Sequence, residues 1–141
     1  MIADKSYAYF ALMGDDFDPS EITKVLGIEP TDSWSKGDTG KHIQRLKYTC
    51  WELRSSRDES LNMNSLIKDV IDQLKGKECQ INQLKVKFGL TSVIRLVMYI
   101  DTHEESSTPF LGHEMEEISF LYETETSTDV DIYRYNSAGN T

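Results

Sequence analysis

Three aspartates crowd the turn that follows the first apolar run of the sequence. Asp15, Asp16 and Asp18 could together ligate a hard cation such as Ca²⁺ or Mg²⁺, which prefers carboxylate oxygens. The alternating acids, central glycine and distal glutamate of a calcium loop are absent. Asp18 precedes Pro19 and suits a helix N-cap, while the other two suit a turn. We therefore expect structural roles here and no metal site.

The histidines and cysteines lack the spacing that a metal centre or an activated nucleophile needs. His42, His103 and His113 are never four residues apart, and neither His-Glu-x-x-His nor Cys-x-x-Cys occurs. Cys50 and Cys79 have 28 residues between them, unlike the dense cysteines of disulfide-stapled secreted domains. The sequence predicts two reduced, partly buried thiols, no cofactor, no catalytic residue and no enzymatic activity.

Within the polar stretch Asp32–Gln44, the segment Gly37–His42 has a superficial likeness to a phosphate cradle. It lacks the four-residue interval and the Ser or Thr after the lysine that a P-loop requires, so it predicts a mobile loop. Trp34 lies beside Lys36 in this polar stretch. We expect the indole to be exposed there, where it would anchor an interface.

Negative charge is concentrated in the last third of the chain. The net charge is −9, yet residues 1–95 contain 14 basic and 14 acidic residues. Residues 96–133 contain ten acids and no lysine or arginine. A surface of this sign repels phosphate backbones and anionic lipid and attracts a basic partner. We therefore expect binding to neither nucleic acid nor membrane.

Five of these acids, together with Trp34, are the predicted partner-binding residues: Glu104, Glu105, Glu114, Glu116 and Glu117. Solubility alone would explain a charged face, but the lysines that surface helices usually intersperse are missing, which favours docking. We expect the acids to share one exterior patch that binds a basic protein. An immunity protein that neutralises a basic toxin, such as a nuclease, would fit this pattern.

The apolar periodicities that must position these residues indicate a single α+β domain over residues 1–141, with residues 136–141 frayed. The predicted strands are Tyr7–Met13, Leu46–Leu53, Thr91–Asp101 and Asp129–Tyr135, with room for a short one near Trp34. The predicted helices are Asp18–Gly27, Leu61–Leu74, a segment through Ile81, Leu84 and Phe88, and Gly112–Thr124. The order β-α-β-α-α-β-α-β predicts a four- to five-stranded mixed sheet with helices mainly on one face, a ferredoxin-like sandwich.

The beginning of the sequence shows charges before any apolar run, so we expect no secretory signal and a cytoplasmic location. The longest apolar stretches, near Ala8–Met13 and Val93–Ile100, are too short to cross a bilayer.

Several segments together resemble a bacterial domain-of-unknown-function family, number 4279. The segments that carry the likeness are Tyr9-Phe10, Gly14–Thr23, Leu26–Thr31, Lys36-Gly37-Asp38, Trp51 and Asp129–Tyr133. The resemblance implies a stand-alone bacterial domain of about this length. It implies no activity, cofactor or catalytic residue.

An alternative hypothesis remains open from the sequence. Asp15, Asp16 and the loop Trp34–Lys41 could line a pocket near the sheet edge, in a small-molecule-binding domain or an unrecognised enzyme. The chain could also be a structural subunit, since the sequence leaves the oligomeric state open.

Overall fold

The computed structural model describes residues 5–39, 45–56 and 61–139. The elements are, in chain order, β1 (Tyr7–Gly14), α1 (Pro19–Leu26), β2 (Asp32–Trp34), β3 (Thr49–Arg54), α2 (Met63–Leu74), α3 (Glu78–Phe88), β4 (Thr91–Asp101), α4 (Met115–Glu123) and β5 (Ser127–Tyr135). The predictions for His42, for the end of the Trp34–Lys41 loop and for the last two residues of the frayed tail lie outside the described residues.

The five strands form one mixed sheet in the order β2-β3-β1-β4-β5. Every neighbouring pair is antiparallel except β4 and β5, which run parallel. Helix α4 connects these two strands, as a parallel pair requires a crossover. The predicted α+β class, element order and mixed sheet are confirmed, and the short strand expected near Trp34 is β2.

The four helices cover one face of the sheet and form the main core with it. On β1 this face carries Ala8, Phe10 and Leu12, all fully buried. The other face has no comparable core: among the described residues it holds one small cluster of buried side chains, formed by Ala11, Cys50 and Val93. The period of two along each strand therefore divides the sheet into a helix side and an open side.

Helix α1 shows the predicted end signals at both termini. The Asp18 carboxylate accepts from the backbone N–H of Ser20 at 2.9 Å. Gly27 adopts φ +70° and its N–H donates to the Thr23 carbonyl, as an αL stop requires. The Glu21 carboxylate pairs with Lys24 at 3.4 Å within the same helix. A capping box begins α4, between Glu114 and Glu117.

A lysine ties three elements together below the helix layer. Lys85 Nζ, on α3, donates to Ser92 Oγ at 2.9 Å, to the Thr124 carbonyl at 2.6 Å and to the Glu125 carbonyl at 3.0 Å. The two carbonyls follow the end of α4, where a cation compensates the helix dipole. Burial lowers the pKa of Lys85. This cation therefore fixes the α4–β5 connection to β4.

None of the helices described here has the length and apolarity needed to span a bilayer.

Candidate functional site

The five predicted acidic residues do not share one exposed patch. Glu104 and Glu105 are exposed in the segment after β4, and Glu114 is exposed at the N-cap of α4. Glu116 is paired with Lys75 at 2.8 Å and lies 3.8 Å from Lys68, so the domain's own lysines compensate its charge.

Glu117 is not on the surface, and its predicted exposure is wrong. Its side chain is fully buried, because it shares the sheet-facing side of α4 with Phe120, three residues on. One carboxylate oxygen accepts from the Glu114 backbone N–H at 3.5 Å. The other, Oε2, has no hydrogen-bond partner among the described residues. A residue in this position stabilises the helix start and cannot reach a partner.

The remaining acids of the last third are divided between the two sides of the sheet. Asp129 and Asp131 project from β5 on the open side, opposite Arg95 and Val97 of β4. Their carboxylates lie 3.1 and 3.9 Å from Arg95 Nε. The expectation of one shared acidic surface is therefore wrong, since the glutamates of α4 lie on the helix side.

Trp34 also lies on the open side and not in a loop. It is the last residue of β2, opposite Cys50 of β3, and packs against the small cluster of that side. Its ring meets Tyr48 edge-on, with the centroids 5.7 Å apart. The indole is half-buried, and its Nε1 has no hydrogen-bond partner among the described residues. Trp34 is thus part of a surface to which the α4 glutamates do not belong.

We call this surface the open face. Its aromatic and charged members come from all five strands: Asp32, Trp34, Glu52, Arg54, Tyr7, Tyr9, Arg95, Tyr99, Asp129, Asp131 and Tyr133. Tyrosine, tryptophan and arginine are the residue types that dominate protein interfaces. The open face therefore has the composition of a docking surface.

Arg95 lies near the centre of the open face and organises it. Its Nη1 donates to the Tyr9 hydroxyl at 2.6 Å, while its Nε donates to Asp129 at 3.1 Å. Burial raises the pKa of Tyr9, and the hydrogen bond from Arg95 opposes that rise. The phenol is therefore a neutral, fixed group at neutral pH.

Two tyrosines on β1 are held in the same way. Tyr7 and Tyr9 stack with centroids 6.2 Å apart, and the Arg54 guanidinium lies 3.8 Å from the centre of the Tyr7 ring. A further stack joins Tyr99 and Tyr133, at 5.2 Å. Guanidinium–ring contacts of this kind contribute about 0.5–1 kcal/mol each at exposed positions. The rings are thus ordered before any partner arrives.

One end of the open face carries a pair of facing carboxylates. Asp32 and Glu52 are direct cross-strand partners on β2 and β3. Burial raises the pKa of Glu52, and the negative charge of Asp32 raises it further. Like charges placed opposite each other are mutually unfavourable, so a cation that approached this pair would relieve the repulsion.

The residues considered for metal or nucleophilic chemistry have structural explanations. Asp15 pairs with Lys36 at 2.7 Å, and no cluster of metal-ligating side chains occurs within the described ranges. Burial raises the pKa of Cys50 to about 12. The prediction of two partly buried thiols holds for Cys50 and is wrong for Cys79, which is exposed.

Two concave regions bear on the small-molecule alternative. Asp15 does line a cavity of 310 Å³, but its neighbours there include Lys47 and Tyr48 and none of residues 34–39. A larger groove of 820 Å³ runs along the outer side of α3, between Cys79 and Val86. The predicted pocket thus exists only in part, and the larger groove lies elsewhere.

Sequence reasoning missed Arg95, Tyr9 and Tyr7 as site residues. Their signal was present: Tyr7 and Tyr9 alternate along β1, and Arg95 is the one charge in the apolar run of β4. Period-two alternation places them on one face, but only the sheet order brings them together.

The family profile described as domain of unknown function (DUF4279) matches residues 4–135 of the chain. The chain belongs to this family. The match includes every strand and helix of the fold, so the family domain and the folded unit coincide. No curated protein and no solved structure matches the chain. The family brings no assigned activity, and the arrangement of the open face must carry any functional argument.

Proposed function

We propose that this chain is a non-enzymatic protein-binding domain that docks a basic protein on the open face of its sheet. The observation that carries the proposal is the order of that face: tyrosines held by Arg95 and Arg54 on a surface that no described helix covers.

Prior ordering of the aromatic rings lowers the cost of association. Tyr9 is fixed by a 2.6 Å hydrogen bond from Arg95, and Tyr7 contacts both the Arg54 guanidinium and the Tyr9 ring. Immobilising a free side chain at an interface costs about 0.5–1.5 kcal/mol. Here the side chains are already ordered in the free domain, so less conformational entropy is lost on binding and the affinity is higher.

The charge of the open face favours a basic partner. Its named members include only two guanidiniums but four carboxylates, so they are net negative; the carboxylates are Asp32, Glu52, Asp129 and Asp131. The whole chain carries −9, which accelerates the approach of a positive protein and opposes nucleic acid. A bacterial cytoplasmic immunity protein that neutralises a basic toxin, such as a nuclease, is the specific role that we propose.

The test is a titration against the protein encoded beside this one in its genome. We expect a complex whose dissociation constant rises at least about tenfold between about 0.05 M and about 0.3 M salt, because screening weakens charge attraction. Tyr7→Ala should weaken it by a further factor of about ten, while thermal unfolding confirms that the variant is folded. No complex, or one that salt leaves unchanged, would contradict the proposal.

The groove on α3 supports a second candidate, a small-molecule-binding domain. Its 820 Å³ is within the usual range of ligand pockets, and Val86 in its wall is 86% exposed. A thermal-shift screen with metals and metabolites tests this candidate. A rise of several degrees with one ligand, abolished by Val86→Glu, would support it over protein docking.

A further inference from the structure

Strand β5 is an element that its own domain leaves unburied. It occupies the end of the sheet, and no described strand pairs with its outer edge. None of its nine residues is buried. Even the large apolar side chains are open to solvent: Ile132 is 57% and Tyr133 52% exposed. Long apolar edge strands are templates for pairing with another strand, because their outer N–H and C=O groups point into solvent.

The helix side of this edge adds further exposed apolar surface. Val130 and Ile132 stand on the helix side, opposite Leu96 and Met98 of β4. On α4, Glu116 faces α2 through its pairing with Lys75. Successive residues turn by about 100°, so Ile118 lies about 200° round the helix from Glu116, on the flank away from α2.

Of the exposed apolar side chains of α4, which are Met115, Ile118 and Tyr122, Ile118 lies on this flank, while Tyr122 lines a groove with Lys85 and Val86 of α3. We call the outer edge of β5, together with Val130 and Ile132, the β5 edge surface.

We propose that the β5 edge surface binds a second copy of this chain, so that two sheets join antiparallel through β5 about a two-fold axis. The inference goes beyond the proposed function and does not depend on it. A two-fold interface requires that the strand be complementary to itself.

The sequence of β5 meets this requirement when Ile132 lies on the two-fold axis. With Ile132 opposite its own copy, Asp131 faces Tyr133 of the second copy, and Asp129 faces Tyr135. Each carboxylate then meets a phenol that can donate a hydrogen bond, and no two like charges lie opposite each other. A register in which one strand slides by two residues, so that the axis passes through Asp131, would set this aspartate against its own copy, which is unfavourable.

The helix side agrees with the same register. Ile132 meets Ile132 on the axis, and Val130 lies opposite the aliphatic stem of Arg134, which can cover apolar surface while its charge stays in water.

The mass of the full chain in solution tests the proposal. Light scattering at micromolar concentration should give twice the 16.2 kDa of one chain. Ile132→Lys places two ammonium groups together on the axis and should raise the dimer dissociation constant at least about 100-fold. Val86→Lys is the matched control: it makes the same change at an exposed position of α3 and should leave the constant unaltered.

Salt separates this association from partner docking. Two chains of −9 repel each other, so added salt should tighten the dimer, whereas it should weaken a complex with a basic protein. A monomer at every salt concentration would overturn the proposal whatever the result of partner titration. The proposal would also be overturned if the chain were a monomer and Ile132→Lys abolished its binding to the neighbouring gene product. The β5 edge surface would then bind that partner and not a second copy.

Cross-linking tests the register. In a Cys79→Ser background, Ile132→Cys should form a disulfide-linked dimer on mild oxidation, because directly opposed residues have Cα atoms about 4.5–5.5 Å apart. Thr128→Cys, near the start of β5, should not form a disulfide-linked dimer, since Asn136 of the second copy faces it in this register. Equal cross-linking at the two positions would contradict the register.

Discussion

Arg95 and Tyr9 face each other across two central strands and are joined by a hydrogen bond of 2.6 Å. Each residue alone would be unremarkable on an exposed sheet. Together they hold an aromatic ring and a guanidinium in fixed positions on the open face, with Asp129 on the other side of the arginine. This relationship makes the open face a pre-ordered surface, and it is open to direct test.

Replacing Arg95 by Met should release Tyr9 and leave Asp129 without its cation. Arg95 is about one-third exposed, so we expect a stability loss of only about 1–2 kcal/mol, after allowance for solvent screening. Partner affinity should fall by at least about tenfold. Tyr9→Phe, which removes only the hydroxyl, is the control and should lose less of both. Denaturant unfolding and calorimetric titration measure the two effects; wild-type affinity in Arg95→Met would contradict the account.

Charge reversal at two adjacent glutamates of α4 should destabilise the fold to very different extents. Glu117→Lys introduces an ammonium into a fully buried position and should destabilise the fold by about 3 kcal/mol or more. Glu116→Lys loses only exposed pairs with Lys75 and Lys68 and should therefore destabilise the fold far less than Glu117→Lys. Urea unfolding of both variants checks this. Equal losses would show that Glu117 is accessible.

Removal of the Lys85 ammonium should loosen the α4–β5 connection. Lys85→Met leaves Ser92 and two carbonyls without their shared donor, and we expect a loss of about 1.5–3 kcal/mol. Lys87→Met, on the same helix but exposed, is the control and should stay within about 0.5 kcal/mol of the wild type. If the two variants unfold alike, the lysine does not fasten this connection.

Stability should decline in acid partly through Asp101. Hydrogen bonds from Ser106 and Ser137 hold the pKa of this carboxyl well below its usual range. A carboxyl with a depressed folded-state pKa stabilises the fold above its unfolded pKa of about 3.9, and that contribution is lost as pH falls further. Asp101→Asn should therefore flatten the decline in unfolding free energy between about pH 5 and about pH 2. Ser106→Ala should flatten it in part, and an unchanged slope in both variants would contradict the assignment.

The two thiols should differ sharply in reactivity. Burial raises the pKa of Cys50 to about 12, while Cys79 is exposed, and only a thiolate reacts quickly. A thiol reagent at neutral pH should therefore label one cysteine per native chain and two in denaturant. Cys79→Ser should abolish native labelling. Rapid labelling of Cys50 in the folded chain would contradict this expectation and would show that β3 opens locally and exposes the thiol.

Local signals in the sequence predicted most of the fold. The aspartate cap and the glycine stop of α1 depend only on neighbouring residues, and β4 was predicted with its observed ends because its apolar run is long. Boundaries were weaker at α4, where aromatic and β-branched residues obscure the period, and the helix begins at Met115 and not near Gly112.

The candidate site was harder to predict because a count of charged residues does not show which side of the fold each side chain lies on. Ten acids lie close together in the sequence, yet a step of one residue along the helix, about 100° of rotation, buries Glu117 and exposes Glu116. The parallel crossover then carries Asp129 to the opposite side of the sheet. Arg95 and Tyr9 are 86 residues apart. Their meeting depends on strand order, which no local pattern encodes.

The central claim is that a basic protein docks on the open face and not on the acidic segment after β4. The most direct test compares two charge-matched variants, Asp32→Lys on the open face and Glu104→Lys in that segment, both at exposed positions, in titrations against the neighbouring gene product. We predict that Asp32→Lys weakens binding at least about tenfold and that Glu104→Lys weakens it less than about threefold. The reverse order, or equal losses, would contradict the account.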